Sequence, residues 1–382
     1  MTTRAAPRTE RETGHGRGHR GRTGTLCVDL RADGGRPGLR YINATLMNTF
    51  VLVAILGLAL LMIVHETGHL LAARAFGMRV VRFSIGFGPP LWRYQARGSE
   101  TVYQVALIPF LAYVQIAGMN PFEDIDPDDK SSYANASLVG RVSAIFAGPL
   151  ANYLFASVLF FAALIVGGKP VPTTSVVVMD GPAKAAQMQK GDTILNIDGV
   201  PVTDWEQMRK LILARPNKPL DIQVLRGKEH LTLKVTPQLK DGGGKIGISP
   251  IEKQVPIGMR EALSDSARLP FRVVEELVFG LSRIITLKEK PDFKGPRGIV
   301  LETSKAAERG TPEFLWFLAA LSAYLGGFNL LPFPALDGGR LTFLAYEAVT
   351  RRKPNARVEA NIHAFGLMLL IALITVVTIR GN

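Results

Sequence analysis

Apolar residues are gathered into four long blocks along the chain, separated by polar and charged segments. A helix needs about 20 mostly apolar residues to cross the hydrocarbon core of a membrane, and each block comes close to that length or exceeds it. One such block can be a buried helix of a soluble core, but four in one chain predict a polytopic α-helical membrane protein with four transmembrane helices. The blocks are Met47 to Val64, Val142 to Gly168, Phe314 to Leu336 and about Asn361 to Ile379.

Basic residues in the short loops indicate how these helices are oriented. Seven Lys and Arg residues lie between residues 65 and 141, and four more lie within residues 351–357. Short loops rich in Lys and Arg stay in the cytoplasm. We therefore expect a multi-pass protein of the cell (inner) membrane, with both loops inside and with the termini and residues 169–311 outside.

The formal net charge of +13 changes this picture little. In a soluble protein it would favour nucleic-acid binding. Here the basic residues lie in the N-terminal segment and beside apolar blocks, without aromatic residues interleaved along a basic stripe. We expect the lipid bilayer as a partner and no nucleic acid. Cys27 is the only cysteine, so no intrachain disulfide can form.

The N-terminal segment differs from the rest of the chain. Residues 1–42 are rich in Arg, Gly and Thr and bury too little apolar surface to fold, so we expect them to be disordered. An alternative is that translation starts at Met47, because a long basic N-terminus opposes export. The predicted organisation is a basic extension (1–46), two membrane helices with a cytoplasmic β loop (47–170), an extracytoplasmic α+β domain (171–252), an amphipathic linker (253–311) and two further membrane helices (312–382).

The first cytoplasmic loop has a strand-like pattern. Val80 to Ile85 and Thr101 to Ile108 are rich in β-branched and aromatic residues, and Gly and Pro at 86–90 separate them. These lengths predict a hairpin or small sheet lying against the membrane. The acidic stretch Glu123 to Asp129 is typical of a solvated loop.

Residues 171–252 alternate strand-like runs with glycine turns and one helical stretch, Trp205 to Leu213. This pattern predicts a small α+β domain. Residues 255–290 mix apolar and charged residues at helical spacing, which predicts a helix on the outer membrane surface or, equally, one packed on the outer domain. The predicted strands are Ser175 to Met179, Thr193 to Ile197, Leu220 to Leu225 and Leu231 to Val235.

Candidate chemistry begins where the first apolar block ends. His65 and His69 are four residues apart, so both rings project from one face of a helix and can bind one zinc ion. Glu66 is about 100° round the helix from His65 and can reach a water molecule on the open side of the metal, as the general base of an H-E-x-x-H zinc protease does. Gly68 is small enough to let another helix approach closely.

A catalytic zinc site has three protein ligands, and Asp337 is the candidate for the third. It follows a proline-containing run and precedes two glycines, so the helix is interrupted beside a carboxylate. Topology agrees, because the first and third blocks both run inward and bring His65, His69 and Asp337 to the same cytoplasmic side. The alternative is that Asp337 only caps the following helix.

Together these motifs resemble the site-2 protease family of intramembrane zinc metalloproteases, of the bacterial regulator-of-sigma-E protease type. Phe83 to Pro90 and Gly295 to Ile299 are similar to further family segments. The motifs Gly181 to Ala183, Lys190 to Ile194 and Ile197 to Gly199, followed by Trp205, resemble a PDZ domain, although a generic α+β spacer is the alternative. Ala112-Tyr113-Val114-Gln115 resembles an edge strand that often ends in Lys in the family.

The resemblance implies regulated intramembrane proteolysis, with Zn²⁺ as the cofactor. It also implies that Asn329 holds substrate near the metal and that Tyr113, Val114 and Gln115 pair with it. The expected substrates are single-pass membrane proteins, for example anti-sigma factors or remnant signal peptides, and the PDZ module would bind peptide termini. Two alternatives are a membrane-tethered zinc peptidase for soluble peptides and a non-catalytic PDZ scaffold.

Overall fold

The computed structural model describes residues 37–120, 123, 126–240, 242–286 and 294–380. The predicted disorder over residues 1–42 lies almost entirely outside this range. Within it, Asp126–Asp129 forms the exposed turn expected of a solvated loop. Residues 46–382 belong to one compact unit, and all the contacts below lie within it.

Nine α-helices are described. Three of them are long and apolar enough to cross a membrane, over Thr49–Ala75, Leu138–Gly167 and Ala356–Ile379. These three helices give the chain the character of a membrane protein. The helices are α1 (Pro37–Ala75), α2 (Leu138–Gly167), α3 (Pro182–Ala185), α4 (Trp205–Leu213), α5 (Met259–Ile285), α6 (Pro296–Arg309), α7 (Thr311–Asn329), α8 (Asp337–Thr350) and α9 (Ala356–Arg380).

The third predicted span is shorter than its apolar block. Helix α7 ends at Asn329, because the proline-containing run after it cannot continue a helix. Polar residues at both its ends, such as Glu313, lower its hydropathy, and it is not among the three long apolar helices. A fourth membrane span therefore stays a prediction.

Helix α7 is nevertheless central to the helical layer. It packs against α2, α5 and α6. Its buried Leu318 and Ala323 form one core with Leu61 of α1 and Phe160 of α2. Gly326 lies so close to α2 that a Cβ there would be 3.0 Å from the carbonyl oxygen of Pro149.

The two strands of the first loop are longer than predicted. They are β1 (Val80–Tyr94) and β2 (Val102–Ile116). The Gly and Pro residues at 86–90 do not end β1, because Gly86 and Gly88 take positive φ angles of 93° and 95° and allow the strand to bend through bulges. Ser84 pairs both with Tyr113 and with Gln104, so β2 lines both sides of the first half of β1.

The segment after α2 forms the predicted α+β fold. Its strands are β3 (Lys169–Val178), β4 (Thr193–Ile197), β5 (Val200–Pro201), β6 (Leu220–Arg226), β7 (Glu229–Val235), β8 (Gln238–Lys240), β9 (Gly243–Lys245) and β10 (Ile248–Val255). The main sheet has the order β10-β3-β4-β6-β7, with β5 beside β4.

Helix α4 packs Met208 and Ile212 into the core of this sheet. Its first turn is capped by Asp204, whose side chain accepts the N–H of Gln207 at 2.8 Å. The predicted strands and helix are confirmed, whereas the PDZ assignment stays a prediction.

Helix α5 accounts for most of the predicted amphipathic segment. It packs against α2 and α7, and Phe271 stacks on Tyr153 of α2 with ring centroids 5.7 Å apart. Its main contacts are with these two helices, so packing on the sheet domain, one of the two predicted alternatives, is not its principal interaction. Lys169 of β3 nevertheless pairs with Glu261 and Asp265 of α5. Membrane-surface location stays a prediction.

Candidate metal centre

Two side chains of α1 and one that is distant in sequence meet at the C-terminal third of α1. The Nε2 atoms of His65 and His69 lie 3.2 Å apart. Oδ2 of Asp337, at the start of α8, lies 3.2 Å from Nε2 of His65 and 3.4 Å from Nε2 of His69. Both histidines are buried. The structure thus brings together the three predicted ligands, and this group is able to hold a metal ion.

Hydrogen bonds to the outer ring nitrogens fix the tautomers. Nδ1 of His69 lies 2.8 Å from the carbonyl oxygen of Ala144. A carbonyl oxygen only accepts, so this Nδ1 carries the proton, and in the neutral ring Nε2 has a lone pair directed at Asp337. Such a bond on the outer nitrogen orients metal-binding histidines in general.

The contact of His65 with α2 leads to the same tautomer. Nδ1 of His65 lies 3.1 Å from the amide nitrogen of Asn152, whose amide oxygen is buried and has no partner among the described residues. Amide nitrogen and oxygen are assigned from hydrogen bonding. Turning the Asn152 amide over lets its oxygen accept the Nδ1–H of His65 and leaves a lone pair on Nε2 of the neutral ring.

Three electron-rich atoms within 3.4 Å of one another repel unless a proton or a metal ion lies between them. Oδ2 of Asp337 is buried and has no hydrogen-bond partner among the described residues. Zinc ligands at about 2.0–2.1 Å from a tetrahedral ion lie roughly 3.3 Å from one another. The observed separations of 3.2–3.4 Å fit that geometry, so the donor set suits zinc.

Glu66 connects this group to the neighbouring sheet. Its Oε2 accepts the backbone N–H of Val114 at 3.0 Å. Because this N–H is donated to Glu66, Val114 presents backbone groups on the side of β2 that faces α1. The predicted strand residues Tyr113, Val114 and Gln115 pair with Ser84, Phe83 and Arg82 on the opposite side. Their outer edge therefore lies beside the candidate centre.

Asn329 is not part of the same contact network. It is the last residue of α7 and is half-buried, and among the described residues its side chain makes no hydrogen bond to the two histidines or to Asp337. Its predicted role in holding substrate is not tested by these contacts.

The run that carries Asp337 is held tightly. A Cβ at Gly338 would lie 2.2 Å from the carbonyl oxygen of Leu331, and one at Gly339 would lie 2.4 Å from that of Phe333. Ala335 takes a left-handed φ of 77° and donates its N–H to Nδ1 of His363, on α9, at 2.9 Å. Asp337 opens α8, but its carboxylate faces the histidines, so capping alone does not describe it.

Helix α2 supplies contacts that sequence reasoning missed. A Cβ at Gly148 would lie 2.3 Å from Nε2 of His69, so only glycine leaves room for that ring. Ala144 and Asn152 flank it by one turn on each side and hydrogen-bond the two histidines. An Asn in the uncharged apolar block 142–168 was the signal that could have identified this face.

A buried ion pair connects α8 to α2. Arg141 Nη1 and Nη2 donate to the two carboxylate oxygens of Glu347 at 2.9 and 2.5 Å. Both side chains are almost fully covered. The pair fixes the helix that begins with Asp337 against the helix that supports the histidines. From the sequence Arg141 counted only as one of the basic loop residues, and Glu347 was not singled out.

A buried His-His-Asp group with an adjacent glutamate, at the end of an apolar helix, defines a zinc-peptidase type of centre. The model of peptidase family M50 matches residues 53–373. The chain therefore belongs to this family, the site-2 protease family, as its motifs predict.

Relatives of known name agree with this assignment. The zinc metalloprotease RasP of Geobacillus kaustophilus is 30% identical over 397 residues, covering 82% of this chain and 93% of that protein. A protein of Nostoc sp., provisionally named a zinc metalloprotease, is 34% identical over 341 residues, covering 85% of this chain and 93% of that protein. The predictions of a metalloprotease and of zinc as its cofactor are confirmed.

Proposed function

We propose that this protease hydrolyses peptide bonds in or near the transmembrane segments of membrane-anchored substrates. Zinc is held by His65, His69 and Asp337, and Glu66 is the general base. The observation that carries the proposal is the convergence of three lone-pair atoms at the end of an apolar helix, with Glu66 tied to the edge of β2 beside them.

The residues divide the chemistry between them. Bound zinc supplies a Lewis acid that acidifies water and polarises the scissile carbonyl. The Val114 N–H holds Oε2 of Glu66, which leaves Oε1 to accept a proton from water and later to deliver it to the leaving amine. Asn152 and the carbonyl of Ala144 hold the two imidazoles in the tautomer that binds metal.

A substrate helix must unwind before it can be cut, since its peptide carbonyls are engaged in its own hydrogen bonds. We infer that the unwound segment adds as a strand to the edge of β2 at Tyr113, Val114 and Gln115. This edge supports the proposal because Val114 already directs its backbone toward Glu66. Gln115 replaces the Lys common in the family, so pairing here relies on backbone hydrogen bonds without an added positive charge.

The proposed topology has four spans in the inner membrane, with α7 as the third. Arg74 at the end of α1 and the basic residues at 351–357 support cytoplasmic loops and a metal group near the cytoplasmic side. Product released at that depth passes into the cytoplasm. The sheet domain is then extracytoplasmic.

We propose that the sheet domain binds peptide termini, as a PDZ domain. A groove of about 680 Å³ lies between α4 and residues 244–248. The carbonyl groups of Ile246 and Gly247 accept from Ala183 and Met179. In a peptide unit the N–H points opposite to the C=O, so the N–H groups of Gly247 and Ile248 point away from that contact. Two successive backbone N–H groups, such as those of Gly247 and Ile248, can together bind a carboxylate.

The test is a Glu66→Gln variant in reconstituted vesicles that contain a single-pass model substrate, with zinc measured on the same samples. We expect cleavage to fall by at least about 10³-fold while zinc content is retained, since only the base is lost. Unchanged cleavage would refute the role of Glu66. Equal rates on a soluble peptide and on the membrane substrate would instead favour a membrane-tethered peptidase.

Asp337→Ala tests the third ligand. We expect zinc per chain to fall after dialysis against a weak chelator, because two imidazoles alone hold zinc poorly. A variant that keeps its zinc would show that another group completes the site. Val349→Ala serves as a control for α8, since Val349 lies on the same helix and is 85% exposed.

A further inference from the structure

An apolar groove of about 660 Å³ runs along the part of α1 that precedes the metal group. Helix α1 forms one wall, and α7 forms the second with Leu321 and Leu325. Residues of α6, among them Ile299 and Val300, form the third. The positions on α1 that line most of the groove are Val51, Ile55, Leu58, Ala59 and Met62.

The α1 wall is a continuation of the catalytic face. At 100° per residue, Val51, Ile55, Ala59 and Met62 fall within about 80° of one another. His69 falls within the same arc when the helix is continued. The groove residues and the metal-facing residues therefore form one stripe, and the groove part is about 16 Å long.

Helix α7 repeats this arrangement. Leu321 and Leu325 precede Asn329 at intervals of four residues, so all three lie near one face of the helix. Between the walls the groove has a floor, because a Cβ at Gly57 would lie only 3.1 Å from side-chain atoms of Leu318 and Phe314. An occupant of the groove is thus directed along α1 and α7 toward the candidate centre.

We propose that this groove binds the transmembrane helix of the substrate, which extends the proposed function and rests on it. Apart from Arg297 the lining is apolar, as contact with an apolar helix requires, and its α1 wall ends at Met62, three residues before His65. A helix seated against α1 for two to three turns would deliver its next residues to Glu66 and to the edge of β2. Ala59 leaves space at the middle of the wall for a substrate side chain.

The first experiment fills the groove. Ala59→Trp puts a large side chain into it, whereas Leu56→Trp adds the same side chain on the exposed face of α1, where Leu56 is 61% exposed. In vesicles, kcat/KM is measured for a single-pass model substrate with a Leu/Ala helix of about 20 residues and for a short soluble peptide. We expect Ala59→Trp to lower the ratio of the two values about tenfold or more, as expected for loss of one large apolar contact. Leu56→Trp leaves the ratio unchanged.

Equal ratios for Ala59→Trp and Leu56→Trp would overturn the proposal. Zinc per chain is measured for both variants, so that a damaged metal group is not mistaken for a blocked groove. If Ala59→Trp does not fold, Ala59→Leu is used in its place and the cross-linking experiment below decides.

The second experiment detects docking without cleavage. In a Glu66→Gln, Cys27→Ser background, Ala59→Cys is oxidised in vesicles with model substrates that carry one cysteine at successive helix positions. We expect disulfides at positions three to four residues apart in the extracytoplasmic half of the substrate helix, and few with Leu56→Cys. Equal cross-linking by Ala59→Cys and Leu56→Cys would show that substrate contact does not depend on the groove and would overturn the proposal. If Ala59→Cys gives cross-links but the wild-type protein cleaves none of the model substrates, the docking proposal stands and only the proposed function is refuted.

Discussion

Gly148→Ala is a small change that we expect to abolish tight zinc binding without weakening the helix that carries it. The substitution adds one methyl group to α2. That methyl carbon would lie 2.3 Å from Nε2 and 2.4 Å from Cε1 of the His69 ring. The ring cannot withdraw freely, because its Nδ1 is held by the carbonyl oxygen of Ala144 at 2.8 Å.

The expected size of the effect follows from these distances. Non-bonded heavy atoms are most stable at about 3.5–4.0 Å, so the ring must retreat by about 1 Å. Metal–ligand distances tolerate deviations of only about 0.2 Å. Loss of groups that merely orient a ligand weakens metal binding 10–100-fold, so displacement of a ligand should weaken it about 100-fold or more. Alanine is meanwhile the better helix former by about 1 kcal/mol.

The assay is competition for zinc between the purified protein in detergent and a fluorescent chelator, with thermal unfolding followed in parallel. Gly280→Ala in α5 is the matched control, since a Cβ there meets no atom within 4 Å. Zinc affinity of Gly148→Ala within about threefold of the wild-type value, well short of the expected effect, would refute the assigned position of the His69 ring.

Three other predictions concern groups around the site and the sheet. Asn152→Ala should weaken zinc binding about 10–100-fold by releasing the His65 ring, and Asn152→Asp, which keeps an acceptor, should restore part of it; equal affinities would contradict this. His363→Ala leaves the Ala335 N–H without its acceptor, so thermal unfolding should report a loss of about 1–3 kcal/mol, and His363→Gln should recover part of it. Hydrogen bonds from Arg226, with burial opposing them, hold the pKa of Asp192 below its usual range. The unfolded chain then takes up this proton first, so the stabilisation is complete above about pH 4 and is lost as pH falls further. Hydrogen exchange in β4 and β6 should accelerate below that pH, and in Asp192→Asn at every pH.

Local patterns were enough to predict several elements. The helix through His65 and His69 follows from an uncharged apolar run, and α4 was predicted over the residues at which it is observed. The alternation of apolar residues with glycine turns located the strands of the sheet domain. Each of these signals lies within about ten residues of sequence, and periodicity reports such short-range order directly.

Features that depend on contacts between helices were not predictable in the same way. From the sequence alone, Gly148 is only a residue that weakens a helix. Its role becomes clear when a Cβ built at this position is compared with the position of the His69 ring. Asn152 and the carbonyl of Ala144 acquire their roles only because α2 crosses α1 at Gly68, where a Cβ would lie 2.2 Å from the carbonyl oxygen of Ala147. The small-residue signal at Gly68 indicated a close approach, and this is confirmed, but it did not identify the partner.

One error came from treating Gly and Pro as stop signals. Strand β1 continues through Gly86 and Gly88, whose positive φ angles permit bulges. The third apolar block, by contrast, stops being helical at Asn329, well before its apolar composition ends at Leu336. Hydrophobic composition locates a block, whereas backbone geometry decides how much of it is regular.

The position of the cut in a membrane substrate tests the central claim most directly. Vesicles containing the wild-type protein and the single-pass model substrate are incubated, and both product termini are identified by mass spectrometry. We predict a cut inside the apolar stretch, near its cytoplasmic end, that is absent with Glu66→Gln. A cut that depends on Glu66 but lies only in the flanking polar segments would contradict intramembrane proteolysis by this site.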